Sequence, residues 1–209
     1  MVKKLHSKGG VVTIVAENGE HSQAIADLFT REIYGHSPER ESFAGSLHKN
    51  IVGIQGFGDI NSEFIQKRQA KNHIGVTVDK SGKLLGAVAI ATVSRKSVLL
   101  VKPTENVVEI IAIATAPSAR RKNYGRKMMQ LAEMMAQNEC GENVKIIVQP
   151  INISGNNIKD LERNNRLLQK FYKRNGYKPD EKETSNHIMG FMLKDLGISI
   201  MSKQLSDKK

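Results

Sequence analysis

Five cations gather where an apolar strand runs into a helix, and together they describe a site for a phosphorylated ligand. Between Val107 and Lys127, the residues Val108, Ile110, Ile111, Ala112, Ile113 and Ala114 form a nearly continuous β-branched and small apolar run, the pattern of a strand buried on both faces. Pro117 stops it, and Arg120, Arg121, Lys122, Arg126 and Lys127 then surround Asn123-Tyr124-Gly125. Apolar helical spacing resumes at Met128, Leu131, Ala132 and Met135. A helix N-terminus offers unpaired backbone N–H groups and a partial positive charge, both suited to phosphate oxygens. Within the strand itself Glu109 is a lone carboxylate among apolar neighbours. Partial burial would raise its pKa toward neutrality and let it accept a proton; the other reading is a charge at the fraying start of a strand, paired with a surface lysine.

The loop Arg120-Arg121-Lys122-Asn123-Tyr124-Gly125 resembles the R/Q-x-x-G-x-G/A pyrophosphate loop of the GCN5-related N-acetyltransferases (GNAT), at the strand-to-helix junction where that family places it. Asn123 stands where the family has its first glycine, and asparagine visits the left-handed region more readily than other non-glycine residues. Downstream, Asn165-Arg166-Leu167-Leu168-Gln169-Lys170-Phe171-Tyr172-Lys173-Arg174-Asn175-Gly176-Tyr177 is similar to the family's second signature, N-x-x-A-x-x-x-Y-x-x-x-G-F, with Leu168 for alanine and Tyr177 for phenylalanine. Read on its own, Leu167, Leu168, Phe171 and Tyr172 make one apolar helical stripe, which Asn175-Gly176 ends with a pair suited to a left-handed cap.

The resemblance covers roughly residues 11 to 194. It implies an α/β (α+β) GNAT fold, a central mixed, mostly antiparallel sheet flanked by helices, and an acetyl-CoA-dependent N-acetyltransferase acting on a primary amine by direct transfer in a ternary complex. By that likeness the backbone at Ile113, Ala114 and Thr115 pairs with the pantetheine arm, and the N–H groups from Lys122 to Lys127, behind Arg120 and Arg121, cradle the pyrophosphate. Glu109 falls at the position of the general-base glutamate of the histone-acetylating members. Tyr172 aligns with the tyrosine that protonates the coenzyme thiolate, although a phenol also simply packs. Asn165 aligns with a residue that bonds the cofactor arm, while asparagine at a helix start is equally an N-cap.

The elements that must position these groups are read from periodicity. Gly10–Ala16 is a strand, Asn18-Gly19 a turn, and His21 to Tyr34 a helix with Ile25, Leu28, Phe29 and Ile33 on one face. Residues 35–72 are the least legible: a short helix, a loop and a further helix. There Gly53-Ile54-Gln55-Gly56-Phe57-Gly58 matches G-x-x-G-x-G, but without a preceding strand or following amphipathic helix it reads as a loop. His73–Val78 and Leu84–Val93 form a hairpin around Asp79 to Lys83, Asn143–Gln149 is a strand ended by Pro150, and His187–Leu193 is a last strand. The resulting plan is an N-terminal extension over 1–10, a GNAT domain over 11–194 and a C-terminal extension with basic tail over 195–209. That last stretch keeps helical apolar content at Leu196, Ile198, Ile200 and Met201.

At 209 residues the chain fits one domain that can bury a core unaided. Cys140 is the only cysteine, which excludes an internal disulfide framework or multi-cysteine zinc site and suits a reducing compartment. His6, His21, His36, His48, His73 and His187 show no metal-ligand spacing, so no metal is expected. No apolar run approaches the roughly 20 residues of a membrane span and no signal-peptide core is visible; a cytoplasmic protein is expected. The net charge of +11 favours polyanions. A basic nucleic-acid-binding module is disfavoured, because only 5% of residues are aromatic and most fall on core faces. The partners implied are acetyl-CoA and an amine acceptor, protein or small molecule, whose surface would come mainly from residues 35–72 and the hairpin. A catalytically inactive acyl-CoA-binding regulator is the rival reading, and a homodimer is left open.

Overall fold

The structure, a computed structural model, describes residues 4–8, 10–17, 19–34, 60–92, 107–141, 143–150, 158–186 and 198–206. The strands are β1 (Lys4–Lys8), β2 (Val11–Val15), β3 (Ile74–Val78), β4 (Leu84–Thr92), β5 (Val107–Thr115), β6 (Val144–Val148), β7 (Lys178–Pro179) and β8 (Met201–Leu205). They form one sheet in the order β1-β2-β3-β4-β5-β6-β8-β7. The β5–β6 pair is parallel and every other neighbouring pair is antiparallel, so the sheet is mixed and mostly antiparallel as expected. The helices are α1 (Ser22–Phe29), continued by a π-helical turn over Thr30–Tyr34, then α2 (Ser62–Gln69), α3 (Tyr124–Cys140), α4 (Ile158–Arg174) and α5 (Glu181–Asn186).

Alternation along the strands sorts the core into two layers. Val88, Ile90, Val108, Ile110 and Ile146 pack under α3 with Met128, Leu131, Met135 and Tyr172. Ala87, Ala89, Ala112 and Ala114 pack on the other side with Ile25, Phe29 and Ile65 from α1 and α2. Two glycines let α3 lie close to the sheet: a Cβ on Gly75 would stand 2.4 Å from Leu131 Cδ2, and one on Gly86 2.7 Å from Met128 Sδ. In the β3–β4 turn, Asp79 Oδ1 accepts from the Ser81 and Lys83 N–H groups, which fixes the hairpin the sequence predicts.

Three expectations are corrected. The helix expected from His21 to Tyr34 keeps α-geometry only to Phe29. The helix around Asn165 begins earlier, at Ile158. Within the stretch read as a C-terminal extension, the described residues 198–206 are neither helical nor outside the sheet: β8 pairs with β6 along its whole length, and at the other end β1 pairs with β2. Ile198 and Ile200 are buried against Val107 and Ile147, and their spacing is the period of two of an extended segment. Pairing with a distant strand, more than the local sequence, decides such a short segment. The strand expected over His187–Leu193 and the Gly53–Gly58 loop lie outside the described residues.

A partly buried ion cluster fastens the C-terminal third to β6. Lys145 Nζ lies 2.8 Å from both Asp180 Oδ2 and Glu183 Oε1. Ser202 Oγ donates to the same Asp180 oxygen at 2.8 Å, and the Ile200 N–H donates to Thr184 Oγ1 at 3.0 Å.

Candidate active site

The opening in the sheet comes from unequal strand lengths. β6 accompanies β5 only from Val107 to Ile110, opposite Lys145 to Val148, and Pro150 follows closely with no N–H to offer. β4 stays paired with β5 as far as Gly86 and Thr115. From Ile111 onward β5 therefore has one satisfied edge and, among the described residues, one open edge with no strand beside it. A register shift falls at the same place: Ala89 faces Ala112 while Ile90 faces Ile110, leaving Ile111 as the extra residue of a bulge. The Ala116 N–H is donated to the Leu85 carbonyl, so by strand alternation the Ala114 backbone faces β4, while the Ile113 and Thr115 backbone groups face the open side. An extended ligand arm can add there as a strand does.

The chain leaves that edge through Pro117–Ala119 and enters the cationic loop. Arg121 and Asn123 both take left-handed conformations, with φ of 62° and 63°, so Asn123 does adopt the geometry that a glycine would supply. Turns of this kind aim successive N–H groups into one concavity, and the Asn123 side chain makes no capping bond that would fill it. Gly125 is needed for closeness, not for φ: a Cβ there would lie 3.2 Å from Phe171 Cε2 of α4 and 4.0 Å from Thr115 Oγ1. Arg121, Lys122 and Arg126 are exposed, and Lys127 Nζ sits 5.6 Å from the centroid of the Tyr124 ring. Arg120 is committed elsewhere, because its guanidinium pairs with Glu32 in the π-helical turn. These residues fit an elongated ligand with a phosphate-bearing end: an open strand edge leads into an anion-binding helix start.

Glu109 is 7% exposed and lies between Ala91 of β4 and Ile147 of β6. Burial pushes its carboxyl up to about 7, against the opposing pull of the Arg68 charge and of a hydrogen bond from Gln149 Nε2 at 3.3 Å. The reading of a surface carboxylate paired with a lysine is thereby overturned. Val108 and Ile110 face α3, so Glu109 faces the α2 side. Tyr172, 3% exposed, is on the opposite side, its ring edge-on to Phe171 at 5.2 Å and Tyr177 at 6.0 Å between centroids. Burial raises its pKa, so the hydroxyl keeps its proton. Asn165, 1% exposed, lies well inside α4 and is not its N-cap. Sequence reasoning missed Arg68, Gln149, Glu32 and the contact of Phe171 with Gly125; only Phe171, on the apolar stripe, carried a signal.

A divided sheet with an open strand edge, a phosphate-suited helix start and a buried carboxylate suits a transferase whose donor carries a long phosphate-bearing arm. The chain belongs to the acetyltransferase (GNAT) family, whose model matches residues 25–177, and the general reaction is acetyl transfer from acetyl-CoA. No curated protein matches it in sequence. Among solved structures, a GNAT-family acetyltransferase from Listeria monocytogenes is 15% identical with a TM-score of 0.55, over 97% of this chain and 100% of that one. PaiA N-acetyltransferase from Thermoplasma acidophilum, in complex with coenzyme A, is 13% identical with a TM-score of 0.56, over 93% and 98%. N-acetylglutamate synthase from Neisseria gonorrhoeae, complexed with coenzyme A and N-acetyl-glutamate, is 12% identical with a TM-score of 0.55, over 96% of this chain and 36% of that one. At these identities the likeness is one of fold. Among the described residues no helix is long and apolar enough to cross a membrane, and no group of three or more His, Cys, Asp or Glu is placed to hold a metal.

Proposed function

We propose that the protein transfers an acetyl group directly from acetyl-CoA to a primary amine, with both substrates bound together. The open edge of β5, continuous with the left-handed loop at the start of α3, carries the reading. The Ile113 and Thr115 backbone groups, with Ala114 between them, would hold the pantetheine arm. The N–H groups from Lys122 to Lys127, with Arg121 nearby, would hold the pyrophosphate, and Asn165 would support the arm from α4. Acetyl-CoA supplies a thioester as acyl donor.

Glu109, on the α1/α2 face, takes the proton that an incoming ammonium must lose before its nitrogen can attack the thioester carbonyl. Tyr172, on the α3/α4 face, gives its proton to the departing sulfur as the carbon–sulfur bond breaks, and the second N–H proton of the tetrahedral adduct passes through water to the phenolate that remains. The products are an amide and the free thiol, with the proton on Glu109 released to solvent. A base on one face and an acid on the other suit a reaction whose nucleophile arrives from one side and whose leaving group departs on the opposite side. The protection of a neutral amine in a water-poor opening adds to the effect.

The test is thiol release from acetyl-CoA across peptides, polyamines, aminoglycosides and amino acids, in the wild type and in Tyr172→Phe. Turnover with at least one amine is expected, falling roughly ten- to a thousand-fold in the variant while acetyl-CoA affinity stays within a few-fold. Stabilisation by acetyl-CoA without turnover on any amine would favour the inactive regulator instead. An unaltered rate in Tyr172→Phe, with chemistry limiting, would return that ring to the core.

A further inference from the structure

A carboxyl group inside a strand has few ways to ionise, and among the described residues the surroundings of Glu109 supply two. Its chain neighbours Val108 and Ile110 and its cross-strand partners Ala91 and Ile147 are all apolar. Gln149 Nε2 donates one bond, at 3.3 Å to Oε1. The other contribution is the charge of Arg68, which reaches the strand from α2. That guanidinium is held in place: its central carbon lies 5.4 Å from the centroid of the Phe64 ring, on the preceding turn of the same helix, and Nη1 reaches the Ile90 carbonyl at 3.5 Å. The Ile90 backbone faces β3, where its N–H donates to the His73 carbonyl, and Ile90 adjoins Ala91, the cross-strand partner of Glu109. The contact therefore brings the cation to the β3 side of β4, next to the residue that faces the carboxyl group.

We propose that Arg68 is a positioning residue for the transfer reaction: its fixed positive charge keeps the buried Glu109 carboxyl able to ionise, and so able to take a proton from the acceptor. The inference rests on the reading of Glu109 as general base. Among the described residues of β6, Lys145 is already engaged by Asp180 and Glu183 of the α5 region, and β4 contributes Ala89 and Ala91, which carry no charge. Burial alone, offset by a single amide hydrogen bond, would leave the acid protonated at neutral pH. An opposite charge nearby restores the ionised form, and a guanidinium is suited to the task because it never deprotonates in the working range. Arg68 itself is half-buried, and the attraction of Glu109 offsets only part of the cost of covering it.

The experiment pairs two readouts on the full chain. One is the carbon-13 NMR titration of the glutamate side-chain carboxyl groups without substrate, with Glu109→Gln identifying the resonance. The other is the pH profile of kcat/KM with the best acceptor of the amine panel. In Arg68→Gln both the Glu109 midpoint and the acidic limb of the rate are expected to move upward by about one pH unit, with activity recovered at high pH. Arg68→Lys, which keeps the charge, should return both toward the wild-type values. A midpoint unmoved in Arg68→Gln would overturn the proposal whatever the rate does. A midpoint that moves without the rate following would overturn the role in the transfer reaction, because Glu109 is then not the base, and would leave an electrostatic coupling alone. If Arg68→Gln does not fold, Phe64→Leu, which frees the guanidinium from its platform, is expected to shift the midpoint in the same direction, and no shift there overturns the proposal equally.

Discussion

The two flanks of β5 are built by different means. On the α3 flank the working parts are backbone and size: the open edge at Ile113 and Thr115, the left-handed Arg121 and Asn123, and a glycine pressed against Phe171. On the α2 flank they are polar groups at least half covered: the charged Glu109, Arg68 and Glu32 and the neutral amide of Gln149, drawn from β5, α2, the π-helical turn and the end of β6. Backbone N–H groups come from almost any residue, so the first flank tolerates Asn123 for glycine provided the turn survives. A buried carboxyl group depends on particular partners, and each substitution there changes which proton is where.

Three substitutions put that contrast at risk. Gly125→Asp should do the most. Its Cβ meets the Phe171 ring and its carboxylate faces the phosphate site, so acetyl-CoA affinity by calorimetry is expected to fall about a hundred-fold or more, the scale of a like-charge clash. Retained affinity would place the phosphates elsewhere and dissolve the backbone-built flank.

Glu109→Gln should act through protons. Because the folded carboxyl titrates near 7 and not at the ordinary 4.5, the wild type loses stability as pH rises through that interval, when the buried acid must ionise. The sign follows from linkage: a raised acid pKa favours the fold fully below 4.5 and loses that contribution by about 7. The glutamine variant should therefore match the wild type near pH 4.5 and exceed it at pH 8 by on the order of 3 kcal/mol in urea unfolding. It should also lose the acidic limb of the rate profile. A stability difference that ignores pH would mean that Glu109 is not buried as an acid.

Glu32→Gln is the mildest. Glu32 is largely covered but its partner Arg120 is exposed, so the pair should contribute less than about 1 kcal/mol. Acetyl-CoA affinity is expected to stay within a few-fold. A ten-fold change would show that the two flanks are coupled through this ion pair and should not be treated separately.

The same contrast explains what the sequence made legible. The strand from Val107, the hairpin, the loop at Arg120 and the stripe at Phe171 and Tyr172 are local patterns with strong periods, and local patterns survive without knowledge of the fold. Glu109 stood out because a lone carboxylate interrupts an apolar run. Arg68 did not, since an arginine on a short polar helix looks like any solvated residue until a strand from elsewhere lies beneath it. Gln149 was likewise only the end of a strand. The first and last strands of the chain were missed for a related reason: Lys4–Lys8 and Met201–Leu205 have little apolar content of their own, and partners supply their extended shape. The length of α4 before Asn165 is polar enough to have passed for loop.

The place of β8 between β6 and β7 also dictates the order in which the molecule can be made. β6 emerges from the ribosome well before residues 201–205, and until they arrive one side of β6 is a bare row of donors and acceptors, the kind of edge that recruits foreign strands. β7, two residues long, pairs with β8 and cannot dock first. Sheet closure is thus a late, long-range event, slow by its topology and exposed to aggregation while it waits. A nascent chain stalled just short of β8 would carry the whole cofactor loop and still present an unfinished sheet to its neighbours.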